Sequence, residues 1–222
     1  MRVRDVELRT IEAPQTNGSD IILIHKPAIM IRCIDEVLNR VAPKRMVEIG
    51  LLHGGSAIYW EQRFCPERLD LFDITPSIPA LEDYMMRHQL DHVHLHLGIS
   101  QDDRAAITSI LDAPIDAVID DASHQYAETL ASFEAIFPLI RPGGVYIIED
   151  WEWDHAAGWR GWDERPLLSP LIMQLVLMAA DERQPIFHVD VTGAFAVIER
   201  GYGTLDQNFR VKDYYNPRGL DI

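Results

Sequence analysis

The chain has 222 residues, 47% of them hydrophobic, with 35 acidic against 20 basic side chains and a net charge of −15. That length fits one domain with a substantial core, and the acidic balance argues against a nucleic-acid backbone or an anionic membrane surface as partner. Cys33 and Cys65 are too few for a disulfide framework, the first residues lack the apolar run of a signal peptide, and no apolar stretch reaches membrane-span length, so a cytoplasmic protein acting on a small molecule is expected.

The first 25 residues read as an irregular N-terminal arm, with Pro14, Asn17 and Gly18 as breakers. From Pro27 to Val41 the apolar positions Met30, Ile34, Val37, Leu38 and Val41 fall at helical spacing, and Pro43 ends the run. Arg45–Ile49 is a short apolar strand entering a glycine-rich turn, with a helix from Ser56 to about Phe64. Strands at Leu69–Phe72, His92–Leu97, Ile115–Ile119 and Val145–Ile148 alternate with helices at Ile78–Gln89, Asp102–Leu111 and Tyr126–Ile140. That alternation predicts a parallel α/β sheet covered on both faces. A Trp-rich segment over about residues 151–166 and a helix near Leu167–Glu182 follow. Ile186–Val191 and Ala194–Glu199, joined across Thr192-Gly193, then read as a hairpin. A hairpin closing a parallel sheet predicts a single Rossmann-like, seven-stranded α/β domain with an antiparallel end.

Glu48-Ile49-Gly50-Leu51-Leu52-His53-Gly54-Gly55-Ser56 spans the first strand end, the turn and the helix start. Glycine permits close backbone approach and a helix N-terminus presents free N–H groups. The spacing differs from the dinucleotide Gly-x-Gly-x-x-Gly, and Glu48 would repel a pyrophosphate. It suits a ligand with a positive end, such as S-adenosylmethionine. Gly50, Gly54, Ser56 and Glu48 are therefore candidate cofactor contacts, with His53 as a contact for the cofactor carboxylate. Asp73, just past the second strand, is placed to accept from ribose hydroxyls. A plain tight turn with surface acids and a nicotinamide site are the alternatives.

Two acidic clusters end neighbouring strands: Asp120-Asp121-Ala122-Ser123-His124 and Glu149-Asp150. Carboxylates at the ends of buried strands are unfavourable unless a cation sits between them. Adjacent strands would bring these acids to one point able to hold a divalent metal, with His124 beside it as base. All-oxygen ligands suit Mg²⁺, and a metal acidifies a coordinated hydroxyl. A surface loop and a metal-free site are the competing interpretations. His92, His94 and His96 alternate on one strand, and a structural or surface role suits them better than zinc. Trp151, Trp153, Trp159 and Trp162 suggest a substrate wall or lid beside the acids, with Asp154 and His155 as further polar contacts. Tyr214, Tyr215 and Asn216 fold over the site or make a subunit contact.

Glu48-x-Gly50-x-x-x-Gly54-Gly55-Ser56 resembles motif I of class I S-adenosylmethionine-dependent methyltransferases. Gly55-Ser56-x-x-x-Trp60 with Phe64-x-Pro66, Ile119 to His124, and Arg141 to Asp150 are narrower. They resemble the magnesium-dependent sugar O-methyltransferases of macrolide biosynthesis and the cephalosporin-hydroxylase-like proteins, over roughly residues 25–200. The resemblance implies the strand order 3-2-1-4-5-7-6 with strand seven antiparallel, a small-molecule hydroxyl acceptor, S-adenosylmethionine and Mg²⁺. Asp121, Glu149 and Asp150 would be the metal ligands and His124 the general base. After strand three the family often has an acid that holds the adenosine, where this chain has Ile99, so Ser100 or Gln101 would substitute. Asp120 is left a supporting role, capping the turn or lining the cofactor pocket. A homo-oligomer is compatible with all of this, and a non-catalytic partner protein is the alternative from another class.

Overall fold

A computed structural model describes residues 1–12, 21–155 and 166–215. The chain runs through β1 (Arg2–Val3), β2 (Val6–Thr10), β3 (Ile21–Ile24), α1 (Ala28–Val41), β4 (Arg45–Ile49), α2 (Gly55–Phe64), β5 (Arg68–Asp73) and α3 (Pro79–His88). It continues through β6 (Val93–Leu97), α4 (Arg104–Ile110), β7 (Ile115–Asp120), α5 (Tyr126–Ile136), β8 (Ile140–Glu149), α6 (Ser169–Met178), β9 (Ile186–Val191), β10 (Phe195–Arg200) and the short α7 (Lys212–Tyr215).

The main sheet has the order β6-β5-β4-β7-β8-β10-β9. Its strands are parallel from β6 through β8, and β10 runs antiparallel to both β8 and β9. Numbering this sheet alone gives 3-2-1-4-5-7-6, the order expected from the sequence. β8 starts earlier than expected because Ile140 already pairs with Ile115; Arg141-Pro142-Gly143-Gly144 then form an irregularity before pairing resumes at Ala117 and Val145.

The N-terminal segment differs from the irregular arm expected. β1, β2 and β3 form a separate three-stranded sheet, with β2 and β3 parallel. Val6 and Leu8 are buried, as are Ile22 and Ile24, a period of two that buries one face of each strand. Glu7 and Arg9 alternate with the buried positions, but each run is too short to stand out from an irregular arm broken by Pro14, Asn17 and Gly18.

Side-chain alternation across the main sheet decides which helix layer each acid meets. One face carries Met46, Leu69, Leu71, Ala117, Ile119, Val145 and Ile147, packed with α1, α2, α3 and the N-terminal sheet. The other carries Val47, Phe72, Val118, Tyr146 and Ile148, packed with α4, α5 and α6. By that parity Glu48 and Glu149 belong to the first face, and Asp120 belongs to the second. No helix among the described residues is long and apolar enough to cross a membrane.

Candidate active site

A cavity of about 810 Å³ opens at the carboxyl ends of β4, β5 and β7, where doubly wound sheets bind ligands. Its wall includes Gly50, His53, Ser56, Asp73, Ser100, Gln101, Asp121, His124 and Asp150. Ile11, Leu23, His25 and Lys26 complete it from the N-terminal segment.

The bare Cα positions of the glycine turn serve the protein's own backbone. A Cβ on Gly50 would lie 2.1 Å from the Asp121 carbonyl oxygen, and one on Gly55 would lie 2.1 Å from the Leu23 carbonyl oxygen. Gly50 also sits at φ +86°, a conformation glycine adopts without strain. The turn thus lets the loop after β7 and the strand β3 close on the cavity from two sides. Asp73 accepts from Leu51 N at 2.7 Å through Oδ2 and from Thr75 N at 2.8 Å through Oδ1. Each carboxylate oxygen keeps a second lone pair.

Glu48, Gly54, Asp120 and Glu149 do not line the cavity. Glu48 is fully buried beneath it, where Trp60 Nε1 donates to its Oε1 at 3.3 Å. Burial raises the Glu48 pKa to about 7 against the opposing pull of Lys26 and Ser56. Gly54 caps α2 at φ +78° beside Leu81. Asp120 accepts from Tyr146 Oη at 2.6 Å, Ser132 Oγ at 2.8 Å and Gln101 Nε2 at 2.7 Å. Its burial outweighs those bonds and raises its pKa to about 6. Gln101 turns its amide inward, and its Oε1 accepts from Ser123 Oγ at 2.6 Å. It therefore ties Asp120 to the loop that carries Asp121 and His124. Ser100 donates to Asp102.

Sequence reasoning missed Lys26. It is 3% exposed, and its Nζ donates to Asp121 Oδ2 and, at 2.6 Å, to Glu149 Oε2. Burial works to lower the Lys26 pKa, but the charges of Asp121, Glu149 and Glu48 outweigh it and raise it. Parity was the available signal: Glu48 and Glu149 on one sheet face need a cation from that face's layer, and Lys26 lies just before α1. One ammonium leaves the cluster short of positive charge. Glu149 Oε1 and Glu48 Oε2 are buried without a hydrogen-bond partner, and burial holds Glu149 well above the usual carboxylate range.

Among the described residues, Asp121, His124 and Asp150 form the group whose possible ligand atoms all lie within 4.8 Å of one another. His124 Nε2 lies 3.8 Å from Asp121 Oδ1 and 3.9 Å from Asp150 Oδ2. Both His124 (φ +55°) and Asp150 (φ +54°) occupy the left-handed region, a strained placement for residues other than glycine. Burial, then the charges of Asp121 and Glu152, raise the Asp150 pKa to about 7. Glu149, the third ligand the resemblance implied, is not in that group; two carboxylates and one imidazole at this spacing fit a divalent cation.

The aromatic segment divides. Trp153 lines the cavity with its ring 4.7 Å from that of His124, whereas Trp151 Nε1 donates to the Thr192 carbonyl at 2.9 Å and anchors the hairpin. Trp159 and Trp162 lie outside the described residues, as do Asn216 and the Asp154 side chain. His155 Nε2 pairs with Ser169 Oγ at 3.0 Å. Tyr214 packs on Phe209 and under Arg183, on the far side of the sheet from Lys26. His96 pairs with Asp70 and His92 lies 3.4 Å from Glu61, the structural role expected for them.

The fold is that of class I methyltransferases. A family model described as a methyltransferase domain matches residues 47–151, from β4 to just past the Glu149-Asp150 pair. The chain resembles the sugar O-methyltransferases of antibiotic biosynthesis. It is 33% identical over 132 residues to the 8-demethyl-8-(2-methoxy-alpha-L-rhamnosyl)-tetracenomycin-C 3'-O-methyltransferase of Streptomyces olivaceus, covering 55% of this chain and 31% of that protein. Over 37 residues it is 60% identical to the mycinamicin VI 2''-O-methyltransferase of Micromonospora griseorubida, covering 17% of this chain and 9% of that protein. A solved structure of MycE from the mycinamycin pathway, with Mg, SAH and mycinamycin VI, superposes with a TM-score of 0.58 at 27% identity. That superposition covers 80% of this chain and 50% of MycE. The chain thus matches about a third of the length of the first of these curated relatives and half of MycE.

Proposed function

We propose that this chain is an S-adenosylmethionine-dependent O-methyltransferase. Its acceptor is a hydroxyl of a small molecule, a natural-product sugar by analogy with its relatives, and Mg²⁺ is held by Asp121, Glu149 and Asp150. The observation that carries this reading is that Asp73 and the Asp121–His124–Asp150 group border one cavity. Asp73 offers its remaining lone pairs to ribose hydroxyls, between apolar Ile74 and Ile99 on the same wall. The surplus of carboxylates favours a positively charged methyl donor over a phosphate-bearing nucleotide. When bound, Mg²⁺ would fix the acceptor oxygen and lower its pKa.

His124 Nε2 takes the acceptor proton as the oxygen–carbon bond forms and the donor's carbon–sulfur bond breaks. Asp121 and Asp150 flank that nitrogen and stabilise the imidazolium that results. Trp153 supplies a flat wall for a sugar ring and keeps water from His124. Holding donor and acceptor in line contributes roughly 7–11 kcal/mol toward the barrier.

The test is calorimetric titration of S-adenosylmethionine, followed by methyl transfer from labelled donor to a panel of deoxysugar glycosides with and without EDTA. Donor binding with EDTA-sensitive transfer is expected. Binding of NAD in place of the donor would overturn the methyltransferase reading, and full turnover after chelation would overturn the magnesium assignment.

A further inference from the structure

We propose that Lys26 is a built-in competitor for the divalent-cation site: its ammonium occupies the acid cluster when no metal is there and must yield when one enters. The inference rests on the cation site of the proposed function. Lys26 Nζ is bonded to Asp121 and Glu149, two of the three carboxylates assigned to the metal. A cation bound by both would take over at least one of those bonds and meet a like charge at contact distance.

The burial of Lys26 shows that this is a built feature. A lysine head is almost never fully buried unless paired, and here the side chain is 3% exposed with both bonds made to carboxylates of the site. The acids differ in how they are held. Asp121 divides its oxygens, Oδ2 to Lys26 and Oδ1 toward His124, while Glu149 gives one oxygen to Lys26 and leaves the other unpartnered. One oxygen of each acid is thus held by the ammonium, while Asp121 Oδ1 faces His124 on the cavity wall and Glu149 Oε1 lies buried beneath it. Without Lys26 the carboxylates would repel one another and the metal-free protein would lose the cluster's geometry. With it, metal affinity is set by an exchange of one cation for another. Because Lys26 follows β3, which supplies Leu23 to the cavity wall, the exchange also bears on how the N-terminal segment closes the cavity.

The test is direct titration of Mn²⁺, followed by electron paramagnetic resonance and calorimetry, into the full chain and its Lys26→Met and Lys26→Gln variants. Thermal melts with and without Mn²⁺ accompany it. Both variants are expected to bind Mn²⁺ at least about tenfold more tightly than the parent. They should melt lower than the parent without the ion and recover most of the loss with it. Gln keeps a donor for one carboxylate without the charge, so it tests competition if the Met variant folds poorly. A variant that folds only with Mn²⁺ would also support competition. Unchanged or weaker binding in variants of a Mn²⁺-binding parent would overturn the role of Lys26 alone. Binding only in the variants would support competition and overturn the magnesium requirement of the parent, and binding in none would overturn both.

Discussion

Asp120 and Asp121 are consecutive residues at one strand end, and they live in opposite environments. Asp120 lies on the α5 face within a neutral network of Tyr146, Ser132 and Gln101. Asp121 lies with Glu149 and Glu48 around one ammonium on the α1 face, where two carboxylate oxygens are left unpartnered. Asp120 is buried and Asp121 half-buried on the cavity wall, and one network is saturated while the other is not. A saturated polar network rigidifies a core, whereas an unsaturated one retains binding capacity. The difference assigns Asp120 to support and Asp121 to chemistry.

That contrast can be broken most sharply at His124. His124→Ala is expected to lower methyl transfer about 10²–10⁴-fold with donor affinity retained by calorimetry, and Asp121→Asn should follow it. Equal loss of donor binding would place both residues in the cofactor site instead.

Glu48→Gln probes the charged cluster through pH. The folded pKa of about 7 stands above the ordinary 4.5. The folded state therefore holds a proton that the unfolded chain has lost, and Glu48 makes stability fall as pH rises from about 4.5 to about 7. Glu48→Gln should flatten that fall and gain ~3 kcal/mol over the parent at pH 8, while matching it below pH 4.5. Urea midpoints across that range give the answer, and parallel curves for the two proteins would refute it.

Tyr146→Phe probes the neutral network. It removes the 2.6 Å bond to Asp120 and should destabilise by ~1.5–3 kcal/mol in denaturant melts, with turnover unchanged. A turnover defect without a stability defect would move Asp120 into the site. Smallest is Ser123→Ala, which removes the hydroxyl bond to Gln101 Oε1 and leaves the Ser123 backbone N–H bond to the same oxygen at 3.2 Å. It should lower stability by about 0.5–1.5 kcal/mol and leave donor affinity within error.

How much of this was legible in the sequence differs by kind of evidence. The main sheet was, because Val47, Ile49, Val118 and Ile148 sit in short apolar runs bounded by turn residues. The loops after β7 and β8 were legible as acid clusters, and so was the opening glycine turn. The N-terminal sheet was not, since its strands are only two to five residues long and its β2–β3 pairing joins strands ten residues apart across a stretch with no strand signal. Lys26 escaped for a related reason: its partners lie 95 and 123 residues away, and only that sheet's docking explains why the lysine points inward. Glu48 was read as a cofactor contact because its strand-end position is visible, whereas the side of the sheet it faces depends on parity with residues in other strands.

The backbone contact between Leu23 and Gly55 has a bearing on protein engineering. The stretch recognisable as a methyltransferase domain begins at Val47, after the lysine that neutralises its acids and after the strand that walls its cavity. A chimera assembled at that boundary would transplant every acid and none of the counter-charge. The portable unit of this fold, for swapping or fusion, begins ahead of β2 and travels with its own cation.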